Sequence, residues 1–233
     1  MSETIEKSAL YLVATPLGNL GDISRRAAEV LCGADLVACE DTRTSRRLLD
    51  FVGSKVPTLA CHEYNEREVV ERLADRVAAG ETVALVSDAG TPNISDPGFR
   101  MVRECRRRGL KVIPIPGPCA LVTALCASGL PTNAFFYAGF LPPKSAARVR
   151  FLEANKNAPH TLILYESCHR IAAFAQEIVQ VLGPERTVCI ARELTKLHET
   201  FRTGPAAAVA ATLEGSQLKG EFVVLIAPEG YAL

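Results

Sequence analysis

Short, unbroken apolar runs alternate along this chain with longer segments whose apolar residues recur at helical spacing. The runs are Leu10 to Ala14, Ala34 to Cys39, Thr58 to Cys61, Thr82 to Val86 and Lys111 to Ile115, then Phe135 to Phe140, Thr161 to Tyr165, Thr187 to Ala191 and Phe222 to Ala227. Runs of this length with no polar alternation suit strands covered on both faces. Between them, Ile171, Phe174, Ile178 and Leu182 share one helical face, as do Val70, Leu73 and Val77. Strand–helix–strand alternation predicts an α/β fold with mainly parallel sheets. Pro114-Ile115-Pro116-Gly117-Pro118 ends a strand and resists its continuation. A domain boundary is therefore expected there, giving an N-terminal α/β domain over 1–116 and a C-terminal one over 117–233.

Composition narrows this picture. The 233 residues are 48% hydrophobic and 22% charged, enough to build a core and too apolar for a disordered chain. The formal net charge is zero, so a nucleic-acid partner would need a local basic patch. The eight cysteines form no C-x-x-C pair and no zinc-like Cys/His spacing, and several lie inside apolar runs. They read as free thiols packed as small hydrophobes in a reducing cytoplasm, with no metal site. Met1 to Ser8 does not read as a signal peptide, and no apolar stretch approaches the roughly 20 residues of a membrane helix.

Polar loops follow the predicted strands. Ala14-Thr15-Pro16-Leu17-Gly18-Asn19-Leu20-Gly21-Asp22 follows the first, where open α/β sheets bind ligands, although it lacks the G-x-G-x-x-G fingerprint. Asp22 reads as the N-cap of the next helix. Glu40-Asp41-Thr42-Arg43 ends the second strand, as an active-site edge or as a helix cap with a solvated ion pair. His62-Glu63-Tyr64-Asn65-Glu66 follows the third; His62 is a candidate general base or a structural histidine. The fourth loop, from Ser87 through Asp88, Thr91, Pro92, Asn93 and Asp96 to Gly98, is long, stiff and polar, which marks it as functional. Parallel connectivity puts these loops on one edge, so Glu40, Asp41, Arg43, His62, Asp88 and Asp96 are expected to converge.

Basic residues cluster in three places: Arg25, Arg26, Arg43, Arg46 and Arg47; Arg100, Arg103, Arg106, Arg107, Arg108 and Lys111; and Lys144, Arg148, Arg150 and Lys156. The second is either a solvated outer face or a phosphate-contact surface, and the first lies near the expected site. No RNA-binding module is recognisable, and there is no tryptophan for base stacking.

The segments LYLVATPLGNLGDIS, ACEDTRTSRRLL, SDAGTPNISDPG, PGPCA, GFLPPKS, YESCHR, ARELTKLHE and KGEFVVLI run in order from Leu10 to Ile226. With them the chain resembles the tetrapyrrole (corrin/porphyrin) methylase superfamily and, within it, the ribosomal small-subunit RNA 2′-O-methyltransferase I family. EDTR, SDAGTP and ARELTK together separate that family from the corrin methylases. The resemblance implies two α/β domains with S-adenosyl-L-methionine in the cleft between them. It implies a cytoplasmic homodimer that methylates a cytidine ribose of small-subunit ribosomal RNA, within the assembled or nearly assembled subunit. Carried over residue by residue, the cofactor-binding positions are Pro16, Ser87, Asp88, Thr91, Cys119, Ala120, Tyr165, Glu166 and Leu194. Many relatives have a further small domain after the strand at KGEFV, whereas this sequence ends at Leu233. Asn93 and Cys168 stand where an aliphatic residue and a proline are expected.

A ribose 2′-hydroxyl is a poor nucleophile unless its proton has an acceptor. Asp88, Asp96 and His62 are candidates, with Asp96 preferred because Asp88 is expected to face the cofactor. Arg43 is a candidate for phosphate contact and Asn65 for orienting the ribose, with Glu40 and Asp41 beside them. Two other functions remain open: methylation of a small tetrapyrrole, and a non-catalytic module that keeps the pocket.

Overall fold

The computed structural model describes residues 5–62 and 65–233. The chain divides into two compact units, one ending at Cys119 and the other running from Ala120 to Leu233.

The first unit holds five strands, β1 (Ala9–Val13), β2 (Leu36–Cys39), β3 (Thr58–Ala60), β4 (Val83–Val86) and β5 (Lys111–Ile115). They form one sheet in the order β3-β2-β4-β1-β5, and every pairing is parallel. Helices α1 (Arg25–Gly33), α2 (Thr42–Val52), α3 (Glu66–Ala78) and α4 (Phe99–Arg107) make the crossovers. Alternate residues of each strand feed two cores. Tyr11, Val13, Val37 and Ala84 pack with Leu31, Leu48 and Leu49 of α1 and α2. Leu10, Ala38, Val83 and Leu85 pack with Leu73, Val77, Met101 and Cys105 of α3 and α4. This two-sided burial is why these strands read as continuous apolar runs. The helix start after the first loop is a correction: Asp22 lies in a short 3₁₀ turn, and Ser24 caps α1, its hydroxyl accepting the Ala27 N–H at 3.1 Å.

In the second unit β6 (Phe135–Phe140), β7 (Thr161–Ser167), β8 (Thr187–Arg192), β9 (Thr200–Pro205) and β10 (Glu221–Ile226) form a sheet in the order β6-β7-β10-β8-β9. Only β6 and β7 pair in parallel; β10 runs antiparallel to β7 and β8, and β8 and β9 form an antiparallel hairpin. Helices α6 (Ser145–Ala154), α7 (Ile171–Leu182) and α8 (Ala206–Ala211) build the core on one face around the fully buried Phe174. Helix α5 (Ala120–Ala127) lies against β7 and β10. Strand β9 is absent from the nine apolar runs because Thr200-Phe201-Arg202-Thr203-Gly204-Pro205 is a half-buried edge whose one large apolar residue, Phe201, sits among Thr200, Arg202 and Thr203. Its hydrogen bonds to β8, rather than apolar burial, hold it in the sheet.

Candidate active site at the carboxyl edge of the first sheet

The strand order places the reversal of connectivity between β1 and β4. From β1 the chain leaves through α1 toward β2; from the adjacent β4 it leaves through α4 toward β5, on the opposite face. Such a switch point opens a crevice beyond the carboxyl ends of the strands. The first and fourth loops start there and are joined by backbone. The Thr15 N–H donates to Gly90 O at 2.8 Å and the Gly90 N–H to Thr15 O at 3.0 Å. The Thr15 hydroxyl reaches Ser87 O at 3.1 Å, and the Thr91 hydroxyl donates to Pro118 O at 2.9 Å. Gly90 has φ +82°, and a Cβ there would meet Leu17; a Cβ on Gly117 would lie 2.9 Å from that of Ala14. The loops after β1, β4 and β5 thus approach more closely than side chains would permit. Pro16, Ser87 and Thr91 sit in this frame, Pro16 and Ser87 being buried, and Cys119 follows directly after Pro118.

The acidic residues gather beside it. The backbone N–H of Asp41 donates to Asp88 Oδ1 at 3.2 Å, linking the ends of β2 and β4. Asp96 is half-buried, near the Ser87 hydroxyl and within electrostatic reach of Glu40 and Asp88. Burial and then the Glu40 charge, with a smaller push from Asp88, raise its carboxyl pKa to about 6, against the lowering effect of Ser87. Asp88 is raised too, by burial and the Asp41 charge, partly offset by the Asp41 N–H. The fourth loop is also conformationally forced, with Asn93 at φ +75° and Ser95 at φ +62°. Asparagine tolerates the left-handed region better than an aliphatic residue, so Asn93 suits its place. Backbone of this kind collects at functional sites, where surrounding structure holds it.

The remaining predicted residues have more local partners. Asp41 caps α2 by accepting the Arg43 N–H at 2.8 Å, and holds the Arg43 guanidinium at 3.2 and 2.8 Å. That guanidinium, with the Arg43 and Thr44 backbone N–H groups, brings the Asp41 pKa down to about 2. Asn65 accepts the His62 N–H at 2.8 Å and donates to Ala60 O at 3.0 Å, so its amide closes the turn after β3. His62 sits at that turn, beyond β3 at the edge of the sheet and two strands from β4, about 10 Å away. Glu63 and Tyr64 of the same motif lie outside the described residues.

In the second unit Ala120 begins α5, and the Leu121 N–H donates to Tyr165 Oη at 3.1 Å. Tyr165 also meets Tyr137 and Phe140 edge-on, with ring centroids 5.1 and 5.6 Å apart. Glu166 is 2% exposed and is held by Arg170 at 2.8 Å and the Ser167 N–H at 2.7 Å. Leu194 is buried between Glu193 and Thr195, both at positive φ, and Thr195 Oγ1 is buried without a hydrogen-bond partner. The third basic cluster is split: Arg148 is buried against Glu177 at 2.6 Å, whereas Lys144, Arg150 and Lys156 are exposed. In the second, Arg107 and Arg108 bind Glu104, and Arg108 also reaches Asp75. Of the first, Arg25 pairs with Glu29 and Arg46 with Asp50, all at the surface.

Against known proteins, residues 9–210 match the model of the tetrapyrrole (corrin/porphyrin) methylases. The chain belongs to the tetrapyrrole methylase family. Within it, the chain groups with proteins named ribosomal RNA small subunit methyltransferase I. It is 52% identical to the one from Mesorhizobium japonicum over 94% of this chain and 75% of that protein. It is 48% identical to the one from Escherichia coli O157:H7 over 93% and 77%. Among solved structures it resembles a cobalt-precorrin-4 methyltransferase, with TM-score 0.68, 16% identity, and coverage of 94% of this chain and 95% of that one. It also resembles a diphthine synthase, with TM-score 0.71, 18% identity, and coverage of 94% and 90%. These two share the methylase fold with this chain. Among the described residues, no helix is long and apolar enough to cross a membrane.

The residue that sequence reasoning passed over is Glu66. It belongs to the His62–Glu66 motif, yet nothing in its spacing shows that it turns inward; in the structure it is 6% exposed.

Proposed function

We propose that this chain is an S-adenosyl-L-methionine-dependent methyltransferase acting on the ribose 2′-hydroxyl of a cytidine in small-subunit ribosomal RNA. The observation that carries the chemistry is Asp96, a half-buried carboxyl with a pKa of about 6, set beside Glu40 and Asp88 at the connectivity switch. The identity to ribosomal RNA small subunit methyltransferase I proteins supports the RNA substrate.

S-adenosyl-L-methionine, when bound, supplies an electrophilic methyl group on a cationic sulfonium. The first unit's residues fit such a group: Glu40, Asp88 and Asp96 make its strand-end edge anionic, and glycines bring backbone close to where a ligand would lie. Pro16, Ser87, Asp88, Thr91 and Cys119 are the proposed binding positions there. In the second unit they are Ala120, Tyr165, Glu166 and Leu194, with the unsatisfied Thr195 hydroxyl beside Leu194 available to a polar ligand atom. Asp96 accepts the proton of the 2′-hydroxyl. At neutral pH most of it is ionised, yet its basicity exceeds that of an ordinary carboxylate. Asp88, more exposed, faces the donor. Glu40 keeps Asp96 basic by repulsion, and Asp41 holds Arg43 at the rim, where a phosphate can compete for the guanidinium. His62 and Asn65 shape the third loop at the edge of this site. We place the enzyme in the cytoplasm as a homodimer, on the assembled or nearly assembled subunit.

The test is methyl transfer from labelled donor to purified small ribosomal subunits, with the modified nucleotide mapped. Label on a cytidine 2′-oxygen supports the proposal; label on a base, or none, overturns it. A second reading, methylation of a small tetrapyrrole, draws on the chain's zero net charge, which gives no overall attraction to RNA. Turnover of a precorrin with none on the subunit would establish it instead.

A further inference from the structure

We propose that Glu66 is a positioning residue for Asp96: its buried carboxylate reaches from the start of α3 to the end of the fourth loop and fixes that loop where Asp96 must act. This rests on the reading of Asp96 as the proton acceptor.

Helix α4 starts without a cap of its own. Its N-cap is Gly98, which has no side chain to accept the first-turn amide protons. Nor is another residue admissible there. Gly98 has φ +133°, and a Cβ would stand 2.9 Å from Leu85 Cδ2 in the core. Glu66 supplies the missing acceptor from another helix. Its Oε1 accepts the Gly98 N–H and the Arg100 N–H, each at 3.2 Å, and its Oε2 faces Arg100 Nε at 3.2 Å. These donors satisfy both oxygens of the buried side chain. Its own backbone is fixed as well, since the Glu66 N–H donates to His62 O at 2.9 Å in the turn closed by Asn65.

The anchor transmits to Asp96 because little between them can move. Asp96 is separated from Gly98 only by Pro97, whose ring fixes φ. On the other side, Ser95 and Asn93 occupy left-handed backbone that the surroundings must hold. At its start the loop is bound to Thr15 and Pro118. Glu66 therefore holds the far end of a loop already pinned at the near end, and Asp96 stands close to that far end. A cap that served α4 alone would affect stability and nothing else, and that alternative predicts different data.

The experiment uses the full chain with Glu66→Ala and Glu66→Gln, the latter keeping one acceptor oxygen. The Asp96 carboxyl is titrated by carbon-detected NMR without substrate. In the wild-type protein it should titrate at about 6. In Glu66→Ala it should fall by about one unit or more toward the ordinary value near 4, as the loosened loop lets water in, while Glu66→Gln stays within about 0.3 of wild type. In methyl transfer, Glu66→Ala should lower kcat about 30-fold with the donor KM changed less than about threefold, and Glu66→Gln should recover most of it. In an Asp96→Asn background the Glu66→Ala loss should shrink to less than about twofold, because both changes act through one carboxyl. An unmoved Asp96 titration with a lowered Tm, or a full additional loss beside Asp96→Asn, would overturn the proposal and leave a helix cap. If Glu66→Ala does not fold, Glu66→Asp withdraws the carboxylate by one methylene and is judged by the same criteria. A wild-type protein that moves no methyl group to ribosomal RNA would refute the function proposed above, while the titration still decides the role of Glu66.

Discussion

The strand-end acids of the first unit and the paired acids of the second are handled in opposite ways. In the first, Asp96 and Asp88 crowd with Glu40 and Asp41, and burial and the neighbouring charges raise the pKa values of Asp96 and Asp88. In the second, burial also works against Glu177 and Glu193, but cations and donors prevail. Arg148 and Ser145 hold Glu177, Lys196 and the Glu221 N–H hold Glu193, and both pKa values end below the usual range. The first arrangement is held up by the rest of the fold and destabilises its own ionised form; the second stabilises itself. Acids kept basic at a strand edge are equipped to take protons, whereas acids neutralised by arginine hold loops. Arg148 illustrates the second case by also donating to Pro143 O, as Arg170, paired with Glu166, donates to Leu141 O. The two pairs brace the segment between β6 and α6.

Substitutions can break this contrast. The largest effect is expected from Arg148→Ala, which leaves Glu177 charged and buried; the second unit should lose about 3–5 kcal/mol in denaturant unfolding. Changing both partners to apolar residues of similar volume should recover most of that, whereas an unrecovered loss would mean that the pair does more than satisfy itself. Next comes Asp96→Asn, with kcat lowered about 100-fold or more at pH 8 and donor affinity retained. The wild-type rate should fall about tenfold per pH unit below about 6, where Asp96 protonates, and the variant should lose that limb. A profile flat down to pH 5 would remove Asp96 as the proton acceptor. Gly220→Ala follows. Gly220 has φ +109°, and a Cβ would lie 2.6 Å from the Glu193 side chain, so the Glu193–Lys196 pair must yield. A loss of about 1–2 kcal/mol is expected, with the rate affected through the neighbouring Leu194.

Much of this was legible in the sequence, and the reasons differ by region. The first sheet was readable because both of its faces are covered, so each strand appears as an uninterrupted apolar run bounded by a polar loop. Parallel connectivity predicts one shared edge for Glu40, Asp41, Arg43, His62, Asp88 and Asp96; Asp41 and Asp88 are linked there, while His62 lies two strands from β4. The second sheet was harder: it is mixed, its edge strand β9 is polar, and nothing in Thr200–Pro205 distinguishes a strand from a loop. Clusters of arginines were misleading in a similar way, since Arg148 finds Glu177, and Arg108, besides the nearby Glu104, finds Asp75, both far away in sequence. Glu66 was invisible for the same reason: its partners lie more than thirty residues on. Local pattern shows which residues are polar, and only the assembled chain shows which of them are already committed.

The smallest predicted effect is the most discriminating, because it has the unusual sign. Asp96 has a folded-state pKa of about 6 against a reference value of 3.8. Between those values the folded protein binds more protons than the unfolded chain, so stability falls as pH rises through the window. Above about pH 6 the whole cost is present, and below about pH 4 it is gone. Asp96→Asn removes the ionisable group and keeps the shape, so it should stabilise the first unit by about 1 kcal/mol at pH 7–8, after allowance for solvent screening, and by nothing at pH 4. Glu177→Gln, at the paired acid, should destabilise the second unit at neutral pH, since an acid whose pKa is lowered contributes stability above its unfolded value and loses it on acidification. Two variants of the same chemical kind would then move Tm in opposite directions at neutral pH. If Asp96→Asn also lowers Tm there, its carboxylate is a stabilising partner in the loop rather than a strained base.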